Sequence, residues 1–298
     1  MKEFYLLNNN NQKINIIEGK NLDTNNIIMI HVHGLGSHFQ PLYKCLDCFE
    51  KRDNIFAKFF IKSFALEFHG HGKSDGITCA IHSFDDLLDD LDTLIFYLGK
   101  RFKDTSIYIL GESMGCAVAL KYCIERPNNI KGLIFLAPMF GIDDKLIPNY
   151  FLKQILYGLS FIFPNLPIIH SKHSTISTDN QEFIEAKKEN KFSYRGNQRL
   201  CTCRELLKIS KWIEENGHLL ETPVLIFHGL KDYVTQPKIT EQLFNKMISK
   251  NKKLYLLKEG YHCLLINSKD NPLLPALIMG KIISWINKKN KKIGILKK

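Results

Sequence analysis

The chain has 298 residues, of which 45% are hydrophobic and 24% are charged. This is an ordinary composition for a globular protein, which argues against disorder throughout the chain, and the length fits one domain with an inserted piece. Lysine and arginine number 41 against 30 aspartate and glutamate residues, so the formal net charge is +11. Such a charge attracts nucleic acid, anionic lipid or acidic substrates, but it does not decide the fold.

Cysteine usage and the first residues of the sequence predict a reducing, cytoplasmic location. The eight cysteines show no regular disulfide framework, and the beginning, MKEFYLLNNNNQK, lacks the apolar core of a secretory signal. The longest apolar stretch, 154–169, contains Pro164 and Pro167 and is too short to span a bilayer as a helix. The tail 287–298 carries six lysines and no acid, which favours a solvated tail over a membrane-docking one.

Strand and helix signals alternate along most of the chain, which predicts a mostly parallel sheet with helices on both faces. The asparagine run 8–11 predicts a hairpin turn. The predicted strands are 26–31, 61–68, 106–110, 130–136, 224–227 and 253–257. The predicted helices are 83–100, 114–125, 238–248 and 275–286.

The alternation breaks down after residue 138 and resumes at residue 222. Between these points the sequence predicts helical and irregular structure with apolar patches. We therefore expect an α/β core formed by 1–138 and 222–298, interrupted by a mainly helical cap formed by 139–221.

One motif indicates the chemistry. Gly111-Glu112-Ser113-Met114-Gly115 matches G-x-S-x-G, and it lies between a predicted strand and a predicted helix. In this motif the serine occupies a tight, strained turn, and side chains at the flanking glycine positions would clash with nearby backbone. The turn lifts the hydroxyl clear of the sheet edge and places it at a helix N-terminus, which favours negative charge. Ser113 is therefore the candidate nucleophile.

A serine hydroxyl needs a base to remove its proton and a third group to orient that base. After a nucleophile on such a turn, the acid and then the histidine follow in chain order. Asp232 follows the predicted strand 224–227, and His262 follows the predicted strand 253–257. We therefore predict Asp232 as the acid and His262 as the base.

Other residues compete for these two roles. Asp270 and Glu259 are weaker candidates for the acid, because neither ends a strand. His218 is a weaker candidate for the base, because it lies in the predicted cap. His228 is expected to pack at the end of its strand.

The oxyanion formed during acyl transfer needs backbone donors that are already in place. One is expected to be the amide that follows the nucleophile, on Met114. The other is expected to come from the turn His33-Gly34-Leu35-Gly36, and we choose the Leu35 amide.

These motifs, in this order, resemble those of the monoacylglycerol lipase and lysophospholipase group of α/β-hydrolases. The resemblance rests on HVHGLGSH (31–38), EFHGHGKSDG (67–76), LGESMGCA (110–117), PVLIFHGLKDYV (223–234) and GYHCLL (260–265). The G-H-G-x-S-x-G segment, Gly70 to Gly76, is the most specific of the five. Together they span the core from Ile27 onward.

The resemblance implies the α/β-hydrolase fold and a metal-free esterase without cofactor, with a mobile, lipid-facing cap. It implies that single-acyl glycerides or lysophospholipids are cleaved through an acyl-enzyme on Ser113. Carried over by position, Asp232 and His262 complete the triad, and Leu35 and Met114 supply the oxyanion donors. The small lipid ester is then the main partner.

The sequence departs from the family pattern at three positions, none of which removes a predicted catalytic group. Glu112 stands where histidine is usual, Cys116 where glycine is frequent, and Glu67 where aspartate is usual. Because Glu112 adjoins the nucleophile, it leaves the pH optimum and the substrate preference open.

Two ligand-binding alternatives are weaker. Gly72-Lys73-Ser74 ends like a phosphate-binding loop, but Glu67 stands where the first glycine belongs. The cysteine pairs Cys45-x-x-Cys48 and Cys201-x-Cys203 lack further ligands at zinc spacing, so no metal is expected.

Two features bear on larger partners. Phe59, Phe60 and Phe64 flank a strand and are expected in the core, so we expect no nucleic-acid partner. The cap stretch 150–163 is interpreted as an acyl-chain entrance, a surface that touches anionic membranes peripherally, or simple packing against the core.

The predicted function is a serine hydrolase that cleaves carboxylic esters. An acyltransferase, a thioesterase or a C–C hydrolase would use the same triad. A non-catalytic binding protein would keep the same fold.

Overall fold

The computed structural model describes residues 1–22, 26–40, 48–126, 129–142, 149–169 and 177–292. Of the features singled out in the sequence, Cys45 and residues 293–298 of the basic tail lie outside these ranges.

Within the described residues, the chain alternates between strands and helices. The strands are β1 (Lys2–Leu7), β2 (Lys13–Glu18), β3 (Ile27–Val32), β4 (Ile61–Glu67), β5 (Ser106–Glu112), β6 (Ile130–Leu136), β7 (Pro167–Ile169), β8 (Gln198–Arg199), β9 (Val224–Gly229) and β10 (Lys252–Leu257). The helices are α1 (Phe49–Ala57), α2 (Phe84–Arg101), α3 (Met114–Glu125), α4 (Tyr150–Ile162), α5 (Gln181–Glu189), α6 (Leu200–Asn216), α7 (Pro237–Lys246) and α8 (Leu274–Lys292).

In the described part of the chain, eight strands form the central sheet in the order β1-β2-β4-β3-β5-β6-β9-β10. Strand β2 runs antiparallel to both of its neighbours, whereas all pairings from β4 to β10 are parallel. Because β5, β9 and β10 are parallel, their carboxyl ends meet at one edge of the sheet. This topology confirms the predicted α/β-hydrolase fold.

Strand β3 shows why the parallel strands are almost continuously apolar. Ile28 and Ile30 belong to the hydrophobic cluster on one face of the sheet, and Ile27 and Met29 belong to the cluster on the other face. Side chains alternate between faces along a strand, so a strand covered on both sides needs apolar residues throughout.

Helices cover both faces of the sheet. Leu87, Leu91 and Leu94 of α2 pack into one cluster, and Ile278 and Ile282 of α8 pack into the other. Their spacing of three or four residues places each set along one side of its helix. The predicted helices in these two regions are thereby confirmed.

The predicted hairpin turn at the asparagine run is present and joins β1 to β2. The Asn8 side chain accepts the Asn10 and Gln12 amides at 3.1 and 2.9 Å and donates to Asp90 of α2 at 2.7 Å. This hydrogen bond anchors the turn to α2, one of the helices that cover the sheet. The two strands themselves, and helix α1, are additional to the elements predicted from the sequence.

The expectation that Phe59, Phe60 and Phe64 all lie in the core is wrong for two of them. Phe64, within β4, is fully buried, whereas Phe59 and Phe60 are 42% and 60% exposed. The reason is a turn after α1, in which Phe59 and Phe60 bond back to Phe56 and Ala57 and Phe60 has a φ of +58°. This turn directs both rings outward.

The segment between β6 and β9 contains α4, α5, α6 and the small antiparallel pair of β7 and β8. Helix α6 serves two regions. Leu200 and Arg204, near its beginning, line a cavity, whereas Ile209 and Ile213 are buried in a core cluster of the central sheet. Across the described ranges, no helix has both the length and the apolarity to cross a membrane.

Candidate active site

Ser113 lies on a strained turn between β5 and α3. Its φ of +51° is in the left-handed region that disfavours residues other than glycine. Three backbone hydrogen bonds hold this conformation: the Ser113 amide donates to Leu136 at 3.0 Å, and its carbonyl accepts the Cys116 and Met139 amides, each at 3.1 Å. The turn therefore fixes the serine between the ends of β5 and β6.

The flanking glycines are required by close backbone contacts, as expected from the motif. A Cβ on Gly115 would lie 2.5 Å from the Val32 carbonyl oxygen of β3, and one on Gly111 would lie 2.8 Å from the Cys116 nitrogen. Either side chain would push backbone away from the serine turn.

Asp232 lies in the loop after β9 and is 5% exposed. Its Oδ1 accepts the amides of Val234 and Thr235 at 2.8 and 3.0 Å, and its Oδ2 accepts the Thr235 hydroxyl at 2.8 Å. This loop thus holds the carboxylate in one orientation.

Two histidines complete the surroundings of Asp232. Its Oδ2 lies 2.7 Å from His262 Nδ1 and 3.1 Å from His228 Nε2. Burial disfavours the charged carboxylate, but the contacts with His262 and His228 outweigh it and hold the pKa of Asp232 well below its ordinary value. Because an ionised carboxylate only accepts, His262 carries its proton on Nδ1 and leaves Nε2 available as an acceptor.

Ser113 and His262 line the same cavity of about 220 Å³. Within the part of the chain that the structure describes, no hydrogen bond joins the Ser113 hydroxyl to His262. Such bonds often tighten only when substrate is bound. The predicted nucleophile and the predicted base nevertheless line one cavity, and Asp232 is hydrogen-bonded to the predicted base.

The competing residues lie in other surroundings. Asp270 and Glu259 both form ion pairs with Lys231, the former at 2.6 Å. His218 is in a short 3₁₀ turn after α6, and it does not border the described cavity.

His228 packs at the end of β9, as expected, and it has a further role that the sequence did not indicate. It is fully buried, and its Nδ1 lies 2.9 Å from the Thr240 hydroxyl of α7. The other ring nitrogen faces Asp232. His228 therefore links the acid loop to a helix behind the site.

The predicted oxyanion donors lie on both sides of Ser113. Met114 begins α3, and a Cβ on Gly34 would lie 3.1 Å from the Ser113 Cβ, so the turn containing Leu35 runs directly beside Ser113. Among the described residues, neither the Leu35 nor the Met114 amide donates to another backbone carbonyl. No described backbone carbonyl therefore competes for these two amides.

His33 holds the peptide unit that carries the Leu35 amide. His33 Nε2 accepts the Phe68 amide at 3.2 Å, so its Nδ1 carries the proton and donates to the Gly34 carbonyl at 2.8 Å. Burial and the neighbouring His71 keep the pKa of His33 well below its ordinary value, so the ring is neutral. The sequence did not indicate this role for His33.

Glu112, the first departure from the family pattern, forms an ion pair with Arg52 of α1. The Arg52 side chain is 1% exposed and that of Glu112 is 24% exposed. The carboxylate next to Ser113 is therefore paired with a buried cation. Cys116, the second departure, is fully buried, and burial raises the pKa of its thiol well above the ordinary value.

Glu67, the third departure, is fully buried at the end of β4 and joins three segments. It accepts the Asn15 side-chain amide and the Phe39 backbone amide, each at 2.9 Å, and the Lys73 backbone amide at 2.8 Å. It thus supports the loop that follows β3, which includes the Leu35 turn, and the glycine-rich loop after β4.

Comparison with known proteins adds to this geometry. The model of the Hydrolase_4 family, serine aminopeptidase S33, matches residues 24–269. The chain is 30% identical over 270 residues to caffeoylshikimate esterase from Arabidopsis thaliana, which covers 88% of this chain and 78% of that protein. It is 23% identical over 256 residues to monoglyceride lipase from Rattus norvegicus, with 86% and 80% of the two chains covered.

Solved structures show the same fold. A soluble variant of monoglyceride lipase from Saccharomyces cerevisiae, in complex with a substrate analog, superimposes with a TM-score of 0.79 at 17% identity, covering 97% of this chain and 94% of that one. Monoacylglycerol lipase from Paleococcus ferrophilus gives a TM-score of 0.74 at 18% identity, covering 97% and 100%.

Proposed function

The chain belongs to the Hydrolase_4 family, serine aminopeptidase S33, and we propose that it cleaves the ester bond of single-acyl glycerol lipids. It is a carboxylic ester hydrolase of the α/β-hydrolase fold, with monoglyceride lipases among its relatives. The substrates we propose are monoacylglycerols or lysophospholipids. The intermediate is an acyl-enzyme on Ser113.

The observation that carries the proposal is the hydrogen bond of 2.7 Å between Asp232 and His262, together with the cavity that His262 shares with Ser113. An orienting acid, a base and a hydroxyl in this order are the requirements for a serine nucleophile. Asp232 stays ionised because its pKa is well below the ordinary value, so it stabilises the imidazolium that forms when His262 takes a proton.

In the proposed cycle, the Ser113 hydroxyl attacks the ester carbonyl while His262 removes its proton. The amides of Leu35 and Met114 donate to the oxyanion of the tetrahedral intermediate. His262 then protonates the departing glycerol oxygen, and an acyl group remains on Ser113. Water, activated by the same histidine, attacks the acyl-enzyme and releases the fatty acid and the free serine.

We further propose that the cap consists of residues 139–221 and the core of 1–138 and 222–298. The two core parts supply all eight strands of the central sheet. The intervening segment supplies α4, α5, α6 and the β7–β8 pair, and residues of all three helices line the cavity that contains Ser113. Such an arrangement shields the reaction from bulk water.

We also propose that α4 contacts anionic membranes peripherally while the protein works in the cytoplasm. Tyr150, Phe151 and Ile162 are 78%, 75% and 70% exposed, and the only fully buried residue of the helix is Ser160. Lys153 is its one charged residue. An apolar exposed helix without acids suits the boundary of an anionic lipid layer, and all seven described cysteines are free thiols, as suits a reducing compartment.

Labelling by a fluorophosphonate probe tests the nucleophile. We expect the folded protein to react and the Ser113→Ala variant not to react. Turnover of p-nitrophenyl esters should fall on the order of 10⁶-fold in Ser113→Ala and in His262→Ala. Labelling that persists in Ser113→Ala would disprove the assignment, and an unreactive wild-type protein would support the non-catalytic alternative.

Chain-length profiling tests the substrate class. The assay compares p-nitrophenyl esters of graded length with a monoacylglycerol and a lysophosphatidylcholine. We expect long acyl chains to be preferred, because most of the lining residues are apolar. Preference for short soluble esters would contradict the lipid substrate while leaving ester hydrolysis intact, and product analysis with added alcohol separates hydrolysis from acyl transfer.

A further inference from the structure

Two lysines of the cap segment line the cavity that contains Ser113. Lys153 lies on α4 and Lys187 on α5, so they approach the cavity from two different helices. Both are partly buried. Most of their companions in the wall are apolar, among them Leu156 and Phe183. A partly buried cation in an apolar wall is stabilised by a negative group that approaches it.

Neither lysine has a compensating carboxylate among the described residues. No described ion pair or side-chain hydrogen bond involves Lys153 or Lys187. Arg204, which also lines the cavity, differs because it is neutralised by Glu205 at 3.0 Å and donates to the Ser160 carbonyl at 3.0 Å. Among the described residues, therefore, these two positive charges of the cavity wall have no ion-pair partner.

The remaining charges of the wall do not offset these lysines. Glu112 borders the cavity, but its carboxylate is paired with Arg52. His38 lies outside the wall but near Lys187; burial, and after it the positive charge of Lys187, lower the pKa of His38 to about 4, so His38 is neutral and adds no charge there.

We propose that the ester substrate carries an anionic, phosphate-type head group, which Lys153 and Lys187 bind together. This inference rests on the proposed cleavage of single-acyl glycerol lipids. The acyl chain of such a lipid is apolar and suits the rest of the wall, so the glycerol side is where a negative charge can be carried. Lysine ammonium groups form strong charge-assisted hydrogen bonds with phosphate oxygens.

The test compares two chain-matched substrates, 1-decanoylglycerol and 1-decanoylglycerol 3-phosphate, under conditions where both are monomeric. We expect the wild-type protein to have the higher kcat/KM for the phosphate ester. Lys153→Gln and Lys187→Gln should each lower that value about tenfold and leave the neutral ester within about twofold. The difference between the substrates should also shrink as salt is added.

Lys188→Gln is the matched control. Lys188 follows Lys187 on the same helix, but its side chain is 53% exposed and pairs with Glu185 outside the cavity. We expect this variant to behave like the wild-type protein towards both esters. An equal loss in Lys188→Gln would show that only the overall charge matters and would overturn the proposal, as would a wild-type preference for the neutral ester.

A binding measurement separates this inference from the proposed reaction. Equilibrium binding of both esters to Ser113→Ala needs no turnover. If Ser113→Ala binds the phosphate ester more tightly than the neutral ester, and Ser113→Ala/Lys187→Gln loses this difference, the anion site is supported. This conclusion holds even if the wild-type protein hydrolyses neither ester, a result that would refute only the proposed reaction. Equal binding of the two esters refutes the anion site, whatever the rates are.

Discussion

Arg52 pairs with Glu112, the residue directly before the proposed nucleophile, although the two are 60 positions apart in the chain. Arg52 projects from α1 and is almost fully buried, with its guanidinium also 5.9 Å from the centre of the Phe39 ring. A buried cation cancels most of the field of a neighbouring carboxylate. The guanidinium of Arg52 therefore offsets the electrostatic field of the Glu112 carboxylate at the site.

The variant Arg52→Met is expected to expose that charge. An unpaired Glu112 carboxylate next to Ser113 favours positive charge in the cavity, so the acidic limb of the kcat/KM profile should move to higher pH. Stability should fall by roughly 2–4 kcal/mol, because a partly buried charge loses its partner. The measurements are a pH–rate profile and a denaturant titration.

Arg52→Met/Glu112→Gln is the control for this effect. Removing both charges should return the acidic limb to its wild-type position and recover part of the lost stability. An unchanged profile in Arg52→Met alone would mean that Glu112 does not influence the reacting groups.

The variant Asp232→Asn tests the acid in two ways. Turnover should fall about 10⁴-fold, because an amide no longer stabilises the imidazolium or selects the required tautomer. The folded-state pKa of Asp232 is lowered, so its stabilising effect is fully present above the unfolded value of about 4 and is lost as the pH falls below it.

Unfolding measured from pH 7 to pH 3 checks the second expectation. Wild type should exceed Asp232→Asn by on the order of 2 kcal/mol at pH 7, and the gap should narrow below about pH 4. A constant gap across this range would indicate that the carboxylate is not stabilised in the folded state.

The loops that carry Asp232 and His262 are in close contact at two glycines. A Cβ on Gly229 would lie 2.1 Å from the Gly260 carbonyl oxygen, and that same oxygen accepts the Lys231 amide at 2.9 Å. Gly229→Ala should therefore force the His262 loop away from Asp232. A displacement near 1 Å lowers kcat about 10²-fold, which steady-state kinetics will measure.

Gly99→Ala is the matched control for this substitution. Gly99 lies in α2 with no atom within 4 Å of an added Cβ, so alanine should raise stability by roughly 0.5–1 kcal/mol and leave kcat unchanged. If Gly229→Ala kept full activity, the contact between the loops would not set the geometry of the site.

The variant Phe151→Ser tests the membrane contact of α4. Removing a 75% exposed aromatic ring should weaken sedimentation with vesicles of phosphatidylserine and phosphatidylcholine by about tenfold, because its burial in lipid is lost. Hydrolysis of a soluble ester should not change. Phe96→Ser, at a 63% exposed ring on α2, should bind vesicles like wild type; equal losses in both variants would contradict a specific role for α4.

The order of Ser113, Asp232 and His262 is readable from the sequence because each follows a strand with a strong apolar run. Strands β5 and β9 are largely buried and have this composition, whereas β10, which precedes His262, is a partly exposed edge strand whose apolar run is 254–257. The carboxyl ends of these three parallel strands meet at one edge of the sheet. The positions of the three residues relative to the sheet were therefore predictable, whereas the hydrogen bond between Asp232 and His262 required coordinates.

Helix α1 was not predicted, and its composition explains why. Its buried residues are Phe49, Arg52, Asp53 and Phe56, spaced as on one side of a helix, but two of these four are charged. Hydrophobic periodicity is the main helix signal, and charged residues that face inward remove it. Arg52 and Glu112 are far apart in the sequence, so no local sequence pattern predicts their ion pair.

His228 illustrates the limit for the site itself. The sequence places it at the end of β9, and packing there was correctly expected. Its contact with Asp232, four residues later, depends on the turn formed by residues 229–232. A histidine four positions before the acid is compatible with several turns, so the second partner of the carboxylate became visible only in the fold.

Helix α6 both lines the cavity and packs in the core of the sheet, and this restricts which segment of the substrate-binding region can be exchanged between homologues. Parallel strands need a crossover, and after β6 the chain must travel the length of the sheet before it enters β9. Helix α6, 17 residues or about 25 Å long, provides that passage. Exchanging the cap segment between homologues should therefore succeed when the second junction precedes Leu200. A chimera with that junction at residue 221 would also replace α6, whose Ile209 and Ile213 pack in the core against the sheet.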